Sequence, residues 1–360
     1  MAAVVSILGS LTMPSSPAPR SLCLLRLSAL GDATHVVPLV RALQRALPSA
    51  ALTWVIGRGE AKLLEGLDGV EFVVYDKKAG FAGWQALRRE LAGRRFDALL
   101  NLQLALRAGL VSTAVQADRR IGYDRGRSRE AHGLFVNERI PAGGHHVVDA
   151  FQQFLIPLGL QPGAIEWRLP VPEEAHAWAA EAMPGEQPTL LVSPCSSHPL
   201  RNWRPERYAA VADHAAAAGW RVVIVGGRSA LERDTADAIL AAMRAPARDL
   251  VGKDTLKQLL ALLARATLVL TPDSGPTHMA NAMGTAVLGL HACTDAERSG
   301  PYSDRRWTVN RFAEAAERFM HKPASALRWG QRIEFPGVMD LVTVDDAIAR
   351  FEAFRAHRGL

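Results

Sequence analysis

The chain has 360 residues, 49% apolar and 22% charged, and its 42 Lys plus Arg against 36 Asp plus Glu give a net charge of +6. This composition excludes a disordered tail, a collagen-like repeat and a coiled-coil rod, and the length suggests two or three domains. The modest basic excess suits an anionic small ligand or a membrane surface better than extended nucleic-acid wrapping.

Residues 2–11 are apolar but too few to span a bilayer, and no Lys or Arg precedes them as a signal peptide requires. Residues 13–20 are poor in core formers, so 1–20 read as a loose extension, with Met13 a second candidate start. A buried strand over 22–27 leads to a helix over 36–47. Val36, Leu39, Val40, Leu43 and Leu47 share one face of it, and Pro48 ends it. Pro38 belongs in the first turn or kinks the helix. Strands over 51–56, 70–75, 98–102 and 120–123 then alternate with helices over 81–91 and 104–115. Such alternation implies a parallel sheet covered on both faces, and 21–160 read as one doubly wound domain. Residues 159–172 contain Pro162, Gly163, Pro170 and Pro172 without helical period, so 161–172 read as a linker.

The alternation restarts in 173–360. Strands are expected over 189–192, 221–225, 267–271 and 286–290, and helices over 205–218, 255–263, 276–283 and 344–354. The fold class is therefore α/β, with two Rossmann-like domains facing a central cleft. Cys23, Cys195 and Cys293 are too scattered for a metal site or a disulfide framework and read as reduced thiols.

In doubly wound sheets ligands bind beyond the carboxyl ends of the strands. The first strand-to-helix turn there is Ser28-Ala-Leu-Gly-Asp32, where Gly31 permits close approach and Asp32 is either a helix cap or a cleft acid. Asp273-Ser-Gly-Pro-Thr-His278 follows a strand. Its Ser274, Gly275 and Pro276 suit a helix start whose N–H groups would meet an anion, with hydroxyls of Ser274 and Thr277 as further donors. The loop 193–203 offers Ser196, Ser197 and the forked donors of Arg201 to a phosphate. No P-loop, no G-x-G-x-x-G and no Asp-x-Asp pair is present. His145-His146 lacks metal-ligand spacing and reads as a surface or core pair, so no metal site is expected.

Four stretches resemble glycosyltransferase family 9, the ADP-heptose:lipopolysaccharide heptosyltransferases. They are Leu25-Arg-Leu-Ser-Ala-Leu-Gly-Asp32, Asn202-Trp-Arg-Pro-Glu-Arg-Tyr208, Asp273-Ser-Gly-Pro-Thr-His278, and Gly284-Thr-Ala-Val287 leading to Ser299-Gly-Pro-Tyr302. The resemblance implies a GT-B fold with acceptor in the first domain and nucleotide-sugar in the second. It also implies inverting, metal-independent transfer of heptose from ADP-heptose to the lipid A–Kdo inner core, with no cofactor. Asp32 then matches the general base, Arg201 a basic residue near the phosphates, and Asp273 an acid on the donor sugar. Ser274, Gly275, Thr277 and His278 match the diphosphate turn, and Glu232 a ribose-contacting acid. The alternatives are another nucleotide-sugar or acceptor, or a GT-B-like nucleotide-binding protein without turnover.

Arg119, Arg120, Arg125, Arg127 and Arg129 crowd one loop. It is either an ordinary solvated basic loop or, through Arg120, Arg125, Arg127 and Arg129, a cradle for the carboxylates and phosphates of an anionic glycolipid acceptor. The expected setting is cytoplasmic and peripheral on the inner membrane surface, without nucleic acid.

Overall fold

The computed structural model describes residues 18–360. The expected loose extension lies, through residue 17, outside them. Two six-stranded parallel sheets follow one another along the chain. The first holds β1 (Ser21–Arg26), β2 (Ala51–Gly57), β3 (Glu71–Tyr75), β4 (Phe96–Asn101), β5 (Ala117–Gly122) and β6 (Glu138–Arg139), in the order β3-β2-β1-β4-β5-β6. The second holds β7 (Thr189–Val192), β8 (Arg221–Ile224), β9 (Arg248–Asp249), β10 (Leu268–Pro272), β11 (Ala286–His291) and β12 (Val309–Asn310), and its order β12-β11-β10-β7-β8-β9 repeats the same topology. Each sheet reverses its winding beside its first strand, between β1 and β4 and between β7 and β10. These switch points are where doubly wound sheets bind ligands.

The first helix differs from its expected bounds. It runs Leu30–Ala46, six residues earlier than the apolar period indicates. Ala33, Thr34 and His35 in its first turns are buried against the second half of the chain rather than along an apolar stripe, so periodicity does not mark them. Pro38 consequently sits inside the helix, not in its first turn. It has no N–H for the carbonyl of Thr34, four residues back. The indole Nε1 of Trp167 donates to that carbonyl instead, at 3.1 Å.

Trp167 belongs to residues 161–172, which form neither helix nor strand. The same segment is fastened to the helix by Arg41, which donates to the carbonyl of Arg168 at 3.0 Å, and by the Arg45–Glu166 ion pair at 2.8 Å. The helix also packs on Gly275–Ala282 of the second half. A side chain at Gly31 would overlap the imidazole of His278, and its Cβ would lie 3.3 Å from the Cα of Gly275. Two glycines at two helix starts thus let the halves touch backbone to backbone. One apolar core accordingly runs across the junction, through Trp54, Phe151, Trp167, Leu263 and Met279. Beside this contact a cleft of about 1400 Å³ opens, lined by both halves.

Candidate active site

β1 delivers the first group. Its last residue, Arg26, pairs its guanidinium with the carboxylate of Asp32, and also donates to the carbonyl of Leu102 at 2.7 Å. The N–H of Ala29 donates to the same Asp32 oxygen, Oδ2, at 3.2 Å. Oδ1 has no hydrogen-bond partner among the described residues. Asp32 lines the cleft with 37% of its side chain exposed, so it is a cleft acid that also caps its helix backwards. Burial pushes its pKa up, but Arg26, the Ala29 N–H and the fields of His278 and Arg298 outweigh this and hold it below the usual carboxylate range.

The second group follows β10. Ser274 is the N-cap residue of the helix Gly275–Ala282, yet its hydroxyl bonds Thr271 Oγ1 at 2.9 Å rather than the helix. Thr277 Oγ1 donates to the carbonyl of Pro272 at 2.7 Å and is fully buried. The expectation that Thr277 serves as a ligand donor is therefore corrected: its hydroxyl fixes the turn. Ser274 lines the cleft and shares its hydroxyl with Thr271. The backbone N–H groups of Gly275 and Thr277, in the first turn of the helix, have no protein partner among the described residues, and they start a helix whose dipole favours an anion. Asp273 sits beside them. Burial raises its pKa, but His278, with Nε2 3.6 Å from Oδ1, together with His291 and Thr294, holds it far below the carboxylate range.

A histidine group absent from the sequence reading joins the two turns. The ring of His35 lies 4.2 Å from that of His278 and 5.7 Å from that of His146. His146 Nδ1 accepts from the Val148 N–H at 3.1 Å, so Nε2 carries the proton and donates to the carbonyl of Gly300 at 3.0 Å. Burial pushes His146 down to about 3 and His35 well below the ordinary value, which keeps both neutral. His146 is thus a core residue tying the halves together, while His145 pairs with Asp295 at 3.0 Å.

A family model for glycosyltransferase family 9 (heptosyltransferase) matches residues 84–328. The chain is 35% identical over 336 residues to the lipopolysaccharide core heptosyltransferase OpsX of Haemophilus influenzae, covering 93% of this chain and 97% of that one. The chain belongs to glycosyltransferase family 9. Among solved structures, the family 9 glycosyl transferase from Veillonella parvula superposes with a TM-score of 0.79 at 21% identity, covering 94% of this chain and 98% of that one. The E. coli ADP-heptose heptosyltransferase II does so with 0.69 at 19%, covering 94% and 100%. These likenesses show the GT-B fold.

The remaining predicted residues of this family 9 chain divide by where their polar atoms point. Arg201 reaches the cleft, pairs with Glu334 at 3.1 Å, and donates to Ser197 Oγ at 3.3 Å. Ser196 spends its hydroxyl on the carbonyl of His198 at 2.9 Å, so it shapes the loop. Glu232 lines the cleft, but its carboxylate accepts from the Gly227 N–H at 2.7 Å and Ser229 Oγ at 2.6 Å, holding the β8 turn. Asp254 stands in the same wall, and burial pushes it up to about 6.

The arginine cradle is reduced. Arg120 donates to the carbonyls of Phe135, Val115 and Ser112, and to the hydroxyl of Ser112. Arg127 is buried, paired with Asp124 and bonded to the carbonyl of Pro141 at 3.0 Å. Both serve the loop, not the cleft. Arg125 is exposed outside the cleft lining, and Arg129 alone of the four lines it.

Sequence reasoning missed Arg298. Its guanidinium lies 4.2 Å above the ring of Trp329, its Nε is buried without a partner, and it makes no ion pair among the described residues. It lines the cleft in the fields of Asp32 and Asp273. The one available signal was its place just before Ser299-Gly-Pro-Tyr302.

Proposed function

We propose that the protein is an inverting heptosyltransferase that moves heptose from ADP-heptose to the lipid A–Kdo inner core of lipopolysaccharide. The observation that carries this is the meeting, in one cleft, of an ionised carboxylate with a free oxygen and a helix start with free N–H groups. The likeness to a lipopolysaccharide core heptosyltransferase of Haemophilus influenzae supports the choice of sugar and acceptor.

The acceptor hydroxyl is a poor nucleophile. Asp32 Oδ1 takes its proton as the oxygen attacks the anomeric carbon from the face opposite the diphosphate. The new C–O bond forms as the bond to the β-phosphate oxygen breaks, and the configuration inverts. The departing ADP gains negative charge, which the N–H groups of Gly275 and Thr277 and the guanidinium of Arg201 meet without reorganising. Arg298 adds a second cation next to the reacting carbon. Burial within the cleft limits competition from water. On this reading the enzyme works peripherally at the cytoplasmic face of the inner membrane. Among the described residues no helix is long and apolar enough to cross a membrane.

Incubation with ADP-heptose and a truncated lipid A–Kdo acceptor should release ADP and an acceptor heavier by one heptose, with the anomeric configuration inverted. Consumption of a different nucleotide-sugar in place of ADP-heptose would overturn the donor. Binding of ADP without turnover of any acceptor would make the chain a nucleotide-binding protein.

A further inference from the structure

The helices Gly80–Glu90 and Leu106–Ser112 cover the face of the first sheet that points away from the second half. Leu87, Leu91, Ala108 and Val111 turn inward onto that sheet. The outward side of the two helices carries an unusual load. Among the described residues, the four most exposed large apolar side chains are Leu134 (83%), Phe81 (70%), Leu110 (54%) and Leu106 (46%). All four belong to these two helices and to the short turn His132–Leu134.

These elements form one continuous surface. Trp84 Nε1 donates to Thr113 Oγ1 at 3.0 Å, joining the first helix to the end of the second. The N–H of Leu106 donates to Glu130 Oε2 at 2.9 Å, and Gly109 packs against the ring of Phe135, joining the second helix to the turn. Phe81 stacks on Trp84 with ring centroids 5.5 Å apart. The same helices and their flanking loops carry Lys78, Arg88, Arg107 and Arg125, which are exposed and form no ion pair among the described residues; the exposed acids there are Glu90 and Glu130. The patch starts one residue from the cleft, because Ala105 and Glu130 line it.

From this we infer that the face formed by Phe81, Leu106, Leu110 and Leu134 docks the enzyme on an anionic lipid bilayer, so that the cleft opens onto the membrane surface. The inference rests on the glycolipid-acceptor reading and adds the surface that reaches that acceptor. Exposed apolar side chains on elements that also carry unpaired cations fit a headgroup boundary: the first enter the acyl edge and the second meet lipid phosphates. A protein partner would need a pocket for these side chains, whereas a bilayer needs only that they be exposed beside cations, as they are here.

The test is co-sedimentation of the full chain with vesicles of phosphatidylethanolamine containing phosphatidylglycerol, and with vesicles of phosphatidylcholine alone. Binding is expected to the first and to be at least tenfold weaker to the second. F81S/L134S should lower binding to anionic vesicles by about tenfold or more. K78Q/R107Q should lower it by roughly 25-fold, from about fivefold per cation, and added salt should mimic that change. Neither double variant alters a cleft residue, so both should retain wild-type transfer to a short-chain acceptor in detergent-free solution and lose transfer to acceptor embedded in vesicles. Equal sedimentation of wild type and both variants would overturn the inference, and so would wild-type use of embedded acceptor by both. Absence of transfer to the short-chain acceptor by wild type would instead overturn the glycolipid reading and leave the vesicle result to stand separately.

Discussion

Replacing Asp32 by Asn isolates the proposed base. The amide keeps the shape and, through its carbonyl oxygen, the bond from the Ala29 N–H, so the helix start survives. What goes is the negative charge beside Arg26 and the capacity of Oδ1 to take a proton. Loss of a general base costs roughly 10²–10⁴-fold in kcat, or about 2.7–5.4 kcal/mol in the barrier at 1.36 kcal/mol per decade. The effect on folding should be much smaller. Asp32 is 37% exposed and Arg26 retains the Leu102 carbonyl, so the pair contributes no more than about 1 kcal/mol after screening. The assay is ADP release at saturating donor and acceptor, alongside ADP affinity by calorimetry and thermal melting. The expected pattern is a large fall in kcat, unchanged ADP binding and a nearly unchanged Tm. Turnover within threefold of wild type would make Asp32 a cap only, and equal loss of ADP affinity would place it in the donor site. The wild-type pH profile checks the same point. Asp32 is held below the ordinary carboxylate range, so it stays charged and should impose no acid limb on kcat/KM between about pH 8 and pH 5.

Arg201→Ala should weaken ADP by about 1.5–3 kcal/mol and adenosine far less, since the lost bonds are charge-assisted; equal weakening in calorimetry would put Arg201 away from the phosphates. Gly31→Ala should destabilise the chain by about 1–3 kcal/mol in denaturant titration, because its methyl group meets His278 and the Gly275 backbone; wild-type stability would show that this contact yields. Buried His146 has a folded pKa of about 3, below its unfolded value near 6.5. The unfolded chain therefore takes up the proton first, and stability falls as pH drops through 6.5 toward 3. By pH 5 this amounts to about 2 kcal/mol at most, and His146→Gln should flatten that part of the pH–stability curve.

The strand-to-helix turns were legible because local chemistry marks them. Gly31 with Asp32, and Ser274-Gly-Pro276, each combine a helix start with a small residue and an acid or hydroxyl, and each lies at a switch point. The histidine group was hidden because His35, His146 and His278 are far apart in sequence and meet only when the two sheets pack. The arginine loop was read too generously for a different reason. Between β5 and the helix Val147–Gln152 the backbone is irregular and leaves carbonyls without ladder partners. Buried carbonyls need donors, and Arg120 and Arg127 supply them for Phe135, Pro141 and others. Cation density in a sequence does not reveal which way the guanidinium turns. Arg298 escaped notice because its role depends on Trp329, 31 residues later in the chain.

The paired glycines have a geometric consequence. Gly31 and Gly275 bring two helix starts into backbone contact inside the core that the halves share. Trp167 fastens the connecting segment to the first of these helices, at the carbonyl that Pro38 leaves open. Asp32 is one residue from the contact and Thr277 two, so the spacing between base and anion seat is set by backbone packing and not by the reach of long side chains. Bulk added at either glycine would therefore alter the distance across which the sugar is handed over, without touching any group that takes part in the transfer.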